Sequence, residues 1–348
     1  MPLTIAAATP ADTDLFPALR ALDAAVGRAD RWDMPLLDAQ PYLAFHRNPP
    51  PDHDVAYGLA YAGAELAGYT SLLFPLRENT HTVEVHVLDV HPEHRRRGAG
   101  RALADFAVAQ ARRRGRTTLL GPTARQLPGG PPRPAAGPAF AAGLGAANAL
   151  DEVRRRLDVR AVDPAALAAL VDAARPHAAG YSLVRWGAAA PAEYVEDVAY
   201  LDSRLLGDAP LGDLALEPQR VDAARVRATE ELAAARLARP YNVGARHDAT
   251  GRLVAWTQVR CTDNDLGHAW QQITLVDPAH RGHRLGLLIK AENLRYALAG
   301  EPGLRVIDTF NAAVNGPMIA INEQLGYRPL DGWDNWQWVL PPAATVDG

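Results

Sequence analysis

The chain carries one six-residue pattern twice. Residues 90–95 read Val90-His91-Pro92-Glu93-His94-Arg95, and residues 276–281 read Val276-Asp277-Pro278-Ala279-His280-Arg281. Four of the six positions match at a spacing of 186, about half of the 348 residues. A repeat at that period predicts two copies of one supersecondary unit, not one large fold. The context repeats as well. A β-like run precedes each copy (82–90 and 270–276), a helical pattern follows (99–114 and 285–299), and a short apolar run comes next (117–120 and 304–310).

The rest of each half fits this scheme. A helix is expected near 12–26, with Asp12 or Thr13 as its cap. Strands near 55–61 and 65–74 flank Ala62-Gly63-Ala64, which suits a hairpin. The second half predicts helices near 192–205 and 218–238, then strands at 241–247 and 253–260 joined through Asp248-Ala249-Thr250-Gly251. Helix, hairpin, strand, crossover helix and strand make an α+β order. Residues 127–138 are crowded with Pro and Gly and read as an irregular loop. A strand at 152–159 closes the first domain, and Asp163-Pro164 starts a connecting helix at 165–174. Two domains are expected, 1–160 and 161–348.

Composition excludes several classes of function. The net charge of −4 argues against general nucleic-acid binding. No run of 18 apolar residues suggests a membrane span, and the start lacks a basic segment leading into a long apolar one. Cys261 is the only cysteine, so no disulfide joins the chain to itself, and a cytoplasmic location is the expectation. Lys290 is the only lysine. His268, His280 and His283 lie near the second motif, but the ligand spacing of a zinc site is missing and no metal is expected.

The chemistry concentrates after the first repeat strand, in Arg95-Arg96-Arg97-Gly98-Ala99-Gly100-Arg101. Two glycines let a ligand approach the backbone closely. The helix that begins there offers unpaired N–H groups and a positive dipole end to phosphate, with arginines at the rim. The other reading is a capped helix beside a solvated arginine cluster. A dinucleotide loop would need G-x-G-x-x-G near the start of the chain, and a P-loop would need a lysine that is not there.

Val90-x-Pro92 with the Arg95-x-x-Gly98-x-Gly100 loop resembles the acetyl-CoA-binding motif of the GNAT superfamily of N-acetyltransferases. Val276-x-Pro278 with Arg281-Gly282-His283-Arg284-Leu285-Gly286 resembles it again, with Arg284 where the first glycine is expected. The stretch from Asn311 and Asn315 to Gly326-Tyr327 is similar to that superfamily's later helix, which packs along the pantetheine arm. The resemblance covers both halves and implies two tandem GNAT-like domains of the actinobacterial type, each a mixed, mostly antiparallel sheet flanked by helices. It implies acetyl-CoA as co-substrate and an acetyl group passed directly to an amine of a small molecule, such as a specialised metabolite or a thiol precursor. A protein acceptor and a non-catalytic acyl-CoA-binding protein are the alternatives. A monomer or homodimer is expected.

The resemblance further implies that the thioester lies between two strands splayed at the motif and meets a backbone N–H there. That maps to Leu88, Asp89 and Val90, or to Thr274, Leu275 and Val276. Glu84 stands where some GNAT enzymes carry the general base, and His86 shares its strand face by alternation. Val83, Val85 and Val87 are expected to bury Glu84 on one side. The alternative is a half-exposed strand with ordinary polar residues. The second half has Trp270 and Gln272 at those positions, but it keeps Asn315, which in the family bonds the pantetheine arm. The tyrosine that often protonates the departing thiolate is replaced by Ala141 and Asn322. The first half is therefore the better candidate for chemistry. Asp23, Asp30, Asp33 and Asp38 read as solvated surface charge, or else as acids that hold a cationic amine. Trp333, Trp336 and Trp338 read as packing residues; Trp336 and Trp338, which share a face, could instead line an acceptor pocket.

Overall fold

The computed structural model describes residues 3–342. They form two compact units. Unit 1 holds 3–152, 211–217 and 331–342; unit 2 holds 153–210 and 218–330. Where one cut near 160 was expected, the chain passes between units after Glu152, Pro210, Glu217 and Leu330.

Unit 1 contains β1 (Leu3–Ala8), α1 (Phe16–Asp30), α2 (Ala39–Arg47), β2 (His53–Ala62), β3 (Glu65–Pro75), β4 (Thr82–Val90), α3 (Ala99–Arg113), β5 (Thr118–Arg125) and α4 (Ala136–Gly143). β6 (Ala147–Asp158) leaves it after Glu152. Unit 2 continues with α5 (Pro164–Ala174), β7 (Tyr181–Trp186), α6 (Val195–Ser203), α7 (Leu205–Asp208), α8 (Ala223–Ala235), β8 (Arg239–His247), β9 (Leu253–Cys261), β10 (His268–Val276), α9 (Leu285–Gly300), β11 (Val306–Ala312) and α10 (Gly316–Gln324). β12 (Arg328–Val339) belongs to unit 1 from Asp331 onward. The strand order is β1-β2-β3-β4-β5-β12 in unit 1 and β6-β11-β10-β9-β8-β7 in unit 2. Each half thus completes its sheet with a strand that the other half of the sequence supplies.

Alternation along the strands sets two core faces in unit 1. Val55, Tyr57 and Leu59 turn towards α1 and α2, where Phe16, Leu19, Leu22, Val26 and Tyr42 are buried. Ala56, Leu72, Phe74 and Val83 turn towards Ala107 and Ala111 of α3. In unit 2, α9 lies over Val243, Ala245 and Val254, joined by Leu167, Val171 and Ala174 of α5. The helix expected as a connector is therefore part of a core; Asp163 caps it by accepting from the Ala165 N–H at 2.9 Å. β1 escaped prediction because half of its residues are alanine, a weak strand former. α4 lies partly in the stretch expected to be irregular. It ends at Leu144-Gly145 with Gly145 at φ 86°, just as α10 ends at Leu325-Gly326 with Gly326 at φ 95°.

No helix among the described residues is long and apolar enough to cross a membrane. Trp333 is buried and donates to Asp331, while Trp338 packs beside Leu119 and Leu340. Trp336 donates to Thr123 Oγ1 at 2.7 Å.

Unit 2 also encloses charge. Asp308 is fully buried and accepts from Arg156 Nε and Nη2 at 2.7 Å each and from Arg154 Nη1 at 3.1 Å, with His268 Nε2 3.0 Å away. Burial alone would raise its pKa; the hydrogen bonds from Arg156 and His268 outweigh burial and hold it down at about 2. A carboxylate with a lowered folded pKa stabilises the fold above its ordinary value of 3.8, and that contribution is lost as the pH falls through about 2. Removing it strands two arginines. Asp308→Ala should therefore cost about 3–5 kcal/mol in urea unfolding at pH 7; an unchanged midpoint would show that the network contributes nothing.

Candidate functional site

β4 and β5 run parallel and pair at only three positions, Thr82 with Thr118, Val83 with Leu119 and Glu84 with Leu120. β4 continues to Val90 against β3 alone. Beyond Glu84 the two strands part and leave a wedge. β10 and β11 do the same in unit 2, where pairing stops at Trp270 with Asp308 while β10 continues to Val276 against β9. A β-bulge sits in each motif strand. Ser71 pairs with Val87 and Leu72 with Val85, so His86 is the extra residue of β4. In β10, Gln272 and Ile273 oppose the single residue Gln258.

The bulge fixes which amides face the wedge. His91 donates its N–H to the Ala67 carbonyl at 2.8 Å, so by antiparallel alternation Asp89 faces β3 while Leu88 and Val90 turn their backbone groups towards the wedge. In unit 2, Asp277 donates to Val254 at 2.8 Å, which leaves Thr274 and Val276 facing the wedge and Leu275 committed to β9. Of the expected donors, Leu88, Val90, Thr274 and Val276 are aimed inward. Asp89 and Leu275 are not.

The loops match in backbone although their residues differ. Arg96 and Gly98 have φ of 63° and 92°; Gly282 and Arg284 have 88° and 53°. The glycine has changed places between two left-handed positions, and Arg284 fits in the conformation that Gly98 adopts. No side chain caps either α3 or α9, so their first-turn N–H groups are open. Arg96, Arg97 and Arg101 are exposed at the rim of the first loop. Arg95 is not a phosphate ligand here. It donates to the Val90 carbonyl at 3.1 Å and to both Asp30 oxygens at 2.9 and 2.7 Å. Arg281 is its counterpart, donating to Val276 O at 3.3 Å and to Asp208 at 2.9 Å. These arginines brace the loop to a helix end. Gly100 and Gly286 are covered alike: a Cβ would meet Phe140 of α4 at 3.6 Å and Ile321 of α10 at 3.1 Å.

Glu84 and His86 share the α1–α2 face of β4, but Glu84 is not buried as expected. Val83 and Val85 point to the α3 side and only Val87 joins the α1–α2 cluster, because the bulge shifts the alternation. The Glu84 side chain is 46% exposed and lies 3.8 Å from His53 Nε2. His86 stacks on Phe45 with ring centroids 5.9 Å apart. In unit 2, Asn315 caps α10 by accepting from the Met318 N–H, and Asn311 accepts from Asn322; His283 lies beside Tyr181 and His177. Among the described residues no group of three or more His, Cys, Asp or Glu is arranged to hold a metal.

The early acids are not free surface charge. Asp30 holds Arg95, and Asp33 is buried against Arg133 at 2.7 Å. Asp23 on α1 accepts from Tyr42 at 2.6 Å and Tyr69 at 2.8 Å, and Arg31 pairs with Asp89 at 2.8 Å. Asp38 alone stays exposed. Sequence reading missed the Asp23 cluster because its tyrosines come from two other elements; nothing in local spacing signals it.

A model of the acetyltransferase (GNAT) family matches residues 21–125, which lie wholly in unit 1. No curated protein matches the chain. Among solved structures the chain is similar to a tandem GNAT protein from the clavulanic acid biosynthesis pathway, with 32% identity over 98% of this chain and 100% of that one and a TM-score of 0.83. A GCN5-related N-acetyltransferase from Sphaerobacter thermophilus shares the fold at 16% identity, covering 98% of this chain and 96% of that one, with a TM-score of 0.64. A fungal glucosamine N-acetyltransferase region does so at 14% identity, covering 97% of this chain and 38% of that one, with a TM-score of 0.65.

Burial raises the Asp23 carboxyl to about 6, against the hydrogen bonds from Tyr42 and Tyr69 that lower it. Its folded pKa lies above the ordinary 3.8, so from pH 4 to 6 the folded state keeps a proton that the unfolded chain has released. Its contribution to stability falls as the pH rises through that window. In urea unfolding the stability of Asp23→Asn relative to wild type should therefore climb between pH 4 and 6 and level off above. A difference flat with pH would refute the shift.

Proposed function

The chain belongs to the GNAT acetyltransferase family, and from that premise we propose that it transfers the acetyl group of acetyl-CoA directly to an amine of a small molecule, with unit 1 carrying the transfer. The observation that carries this reading is the wedge of unit 1. Two inward-facing amides, an uncapped helix start and three exposed arginines converge on one loop.

Acetyl-CoA supplies the acetyl group activated as a thioester. The open first turn of α3 and the rim arginines suit the phosphates. The Leu88 and Val90 N–H groups suit a carbonyl oxygen that gains negative charge as an amine adds to it. Glu84 accepts the proton of the amine, directly or through water, on the strand face it shares with His86. Half exposed, it keeps contact with solvent to pass that proton on. Water or the substrate returns a proton to the thiolate, since Ala141 stands where a tyrosine would donate one. The acceptor as a small molecule is supported by the 32% identical tandem relative, which comes from a biosynthesis pathway.

Calorimetry tests cofactor binding. Gly98→Glu sets a negative side chain at the phosphate loop and should abolish acetyl-CoA binding. Gly98→Ala, strained by about 1–2 kcal/mol at φ 92°, should keep it. Equal binding by Gly98→Glu and wild type would sink the assignment. Thiol release with a panel of amines tests turnover. Glu84→Gln should lower kcat/KM by about 10²–10⁴-fold while acetyl-CoA affinity stays put. A wild-type rate in that variant would remove Glu84 from the mechanism.

A further inference from the structure

The sheet face that carries Glu84 in unit 1 carries the opposite charge in unit 2. Glu84 on β4 pairs with Leu73 on β3. At the same pair of positions unit 2 has Trp270 on β10 and Arg260 on β9. Residues directly opposed on antiparallel strands share a face, with Cβ atoms about 5 Å apart. Trp256, four residues before Arg260 and so on the same face, packs against Val198 and Leu201 of α6 and Val226 of α8.

Arg260 is partly buried, and among the described residues it has no carboxylate partner. Its Nε and Nη2 donate to Gln258 Oε1 at 3.3 and 3.1 Å. Gln258 is itself held: its Nε2 donates to Asn242 Oδ1 at 2.9 Å, which also accepts from Trp256 Nε1 at 2.9 Å, while Asn242 Nδ2 donates to the Gly187 carbonyl at 2.8 Å. This row turns the Gln258 oxygen to one side of the guanidinium. A guanidinium has five N–H groups, so those of Nη1 stay without a protein acceptor among the described residues. Asp308, which pairs with Trp270 from the other side, is committed to Arg154 and Arg156. Beside Arg260, Trp270 stacks on Phe310 with ring centroids 5.6 Å apart.

A charge withdrawn from water without a counter-ion costs stability. Burial lowers the pKa of Arg260 and no neighbouring charge opposes that shift. The fold does not require the arginine, since Leu73 fills the same position in unit 1 and packs against the α1–α2 cluster.

We infer that Arg260 and Trp270 form a binding site on unit 2 for the carboxylate of a small, apolar organic acid. The free guanidinium N–H groups take the carboxylate, and the Trp270 ring borders the apolar body. The site goes beyond the proposed transfer: unit 1 offers a carboxylate to an amine, and unit 2 offers a guanidinium to a carboxylate.

Calorimetry of the full chain with benzoate tests this. Wild type should bind one benzoate, and benzamide, its neutral counterpart, should bind at least tenfold more weakly. Arg260→Leu, which restores the residue of unit 1, should lower benzoate affinity at least tenfold while its urea midpoint equals or exceeds that of wild type. A merely structural arginine would not allow that combination. Arg260→Gln serves as the second variant if the leucine variant does not fold. No benzoate binding in wild type, equal binding of benzamide, or unchanged benzoate binding in the folded Arg260 variant would overturn the inference. So would binding of inorganic phosphate in place of benzoate. Glu84→Gln should bind benzoate as wild type does; a loss there would put the benzoate in unit 1 and overturn the assignment to unit 2.

Discussion

Two parallel strands that stop pairing after three residues govern the rest of each unit. A parallel pair buried in a sheet loses hydrogen bonds wherever it opens, and unpaired buried amides are costly. The chain tolerates the opening because antiparallel pairing on the far side still holds the motif strand, to Val90 in unit 1 and to Val276 in unit 2. The amides freed by the opening, at Leu88 and Val90, all lie on one edge. A site that needs donors for a carbonyl gains them where the sheet fails to close.

The bulge and the arginine brace make that opening stable. One extra residue at His86 shifts the alternation, so Glu84 and Val87 share a face that strict alternation would deny them. Arg95 then ties the end of β4 to Asp30 at the end of α1, through Val90 O and a two-pronged ion pair. Such paired geometry adds direction as well as energy. Arg281 does the same through Val276 O and Asp208. The first arginine of the motif is therefore structural in both units, and the free charge at the loop comes from the arginines after it.

The repeat was enough to read the α+β order, the tandem architecture and the position of both loops, because strand, loop and helix are contiguous in sequence. Three things were not readable. The exchange of β6 and β12 between units depends on pairing between distant segments. The Asp23 cluster draws on α1, α2 and β3, with partners 19 and 46 residues away. The exposure of Glu84 follows from a bulge that no residue of β4 announces. Arg284 shows the converse. Its sequence marks a departure, yet its φ of 53° stays in the left-handed region that Gly98 occupies at 92°.

The duplicated halves keep what the backbone needs and differ in the side chains that meet the need. Loop conformation, bulge, brace and the cover over the second glycine occur in both units, although the side chains involved are often different. Phe140 stands for Ile321, and Asp30 stands for Asp208. The shared backbone constrains positions and not side chains, which is why the second loop carries Arg284 where the first carries Gly98 and still stays in the left-handed region there.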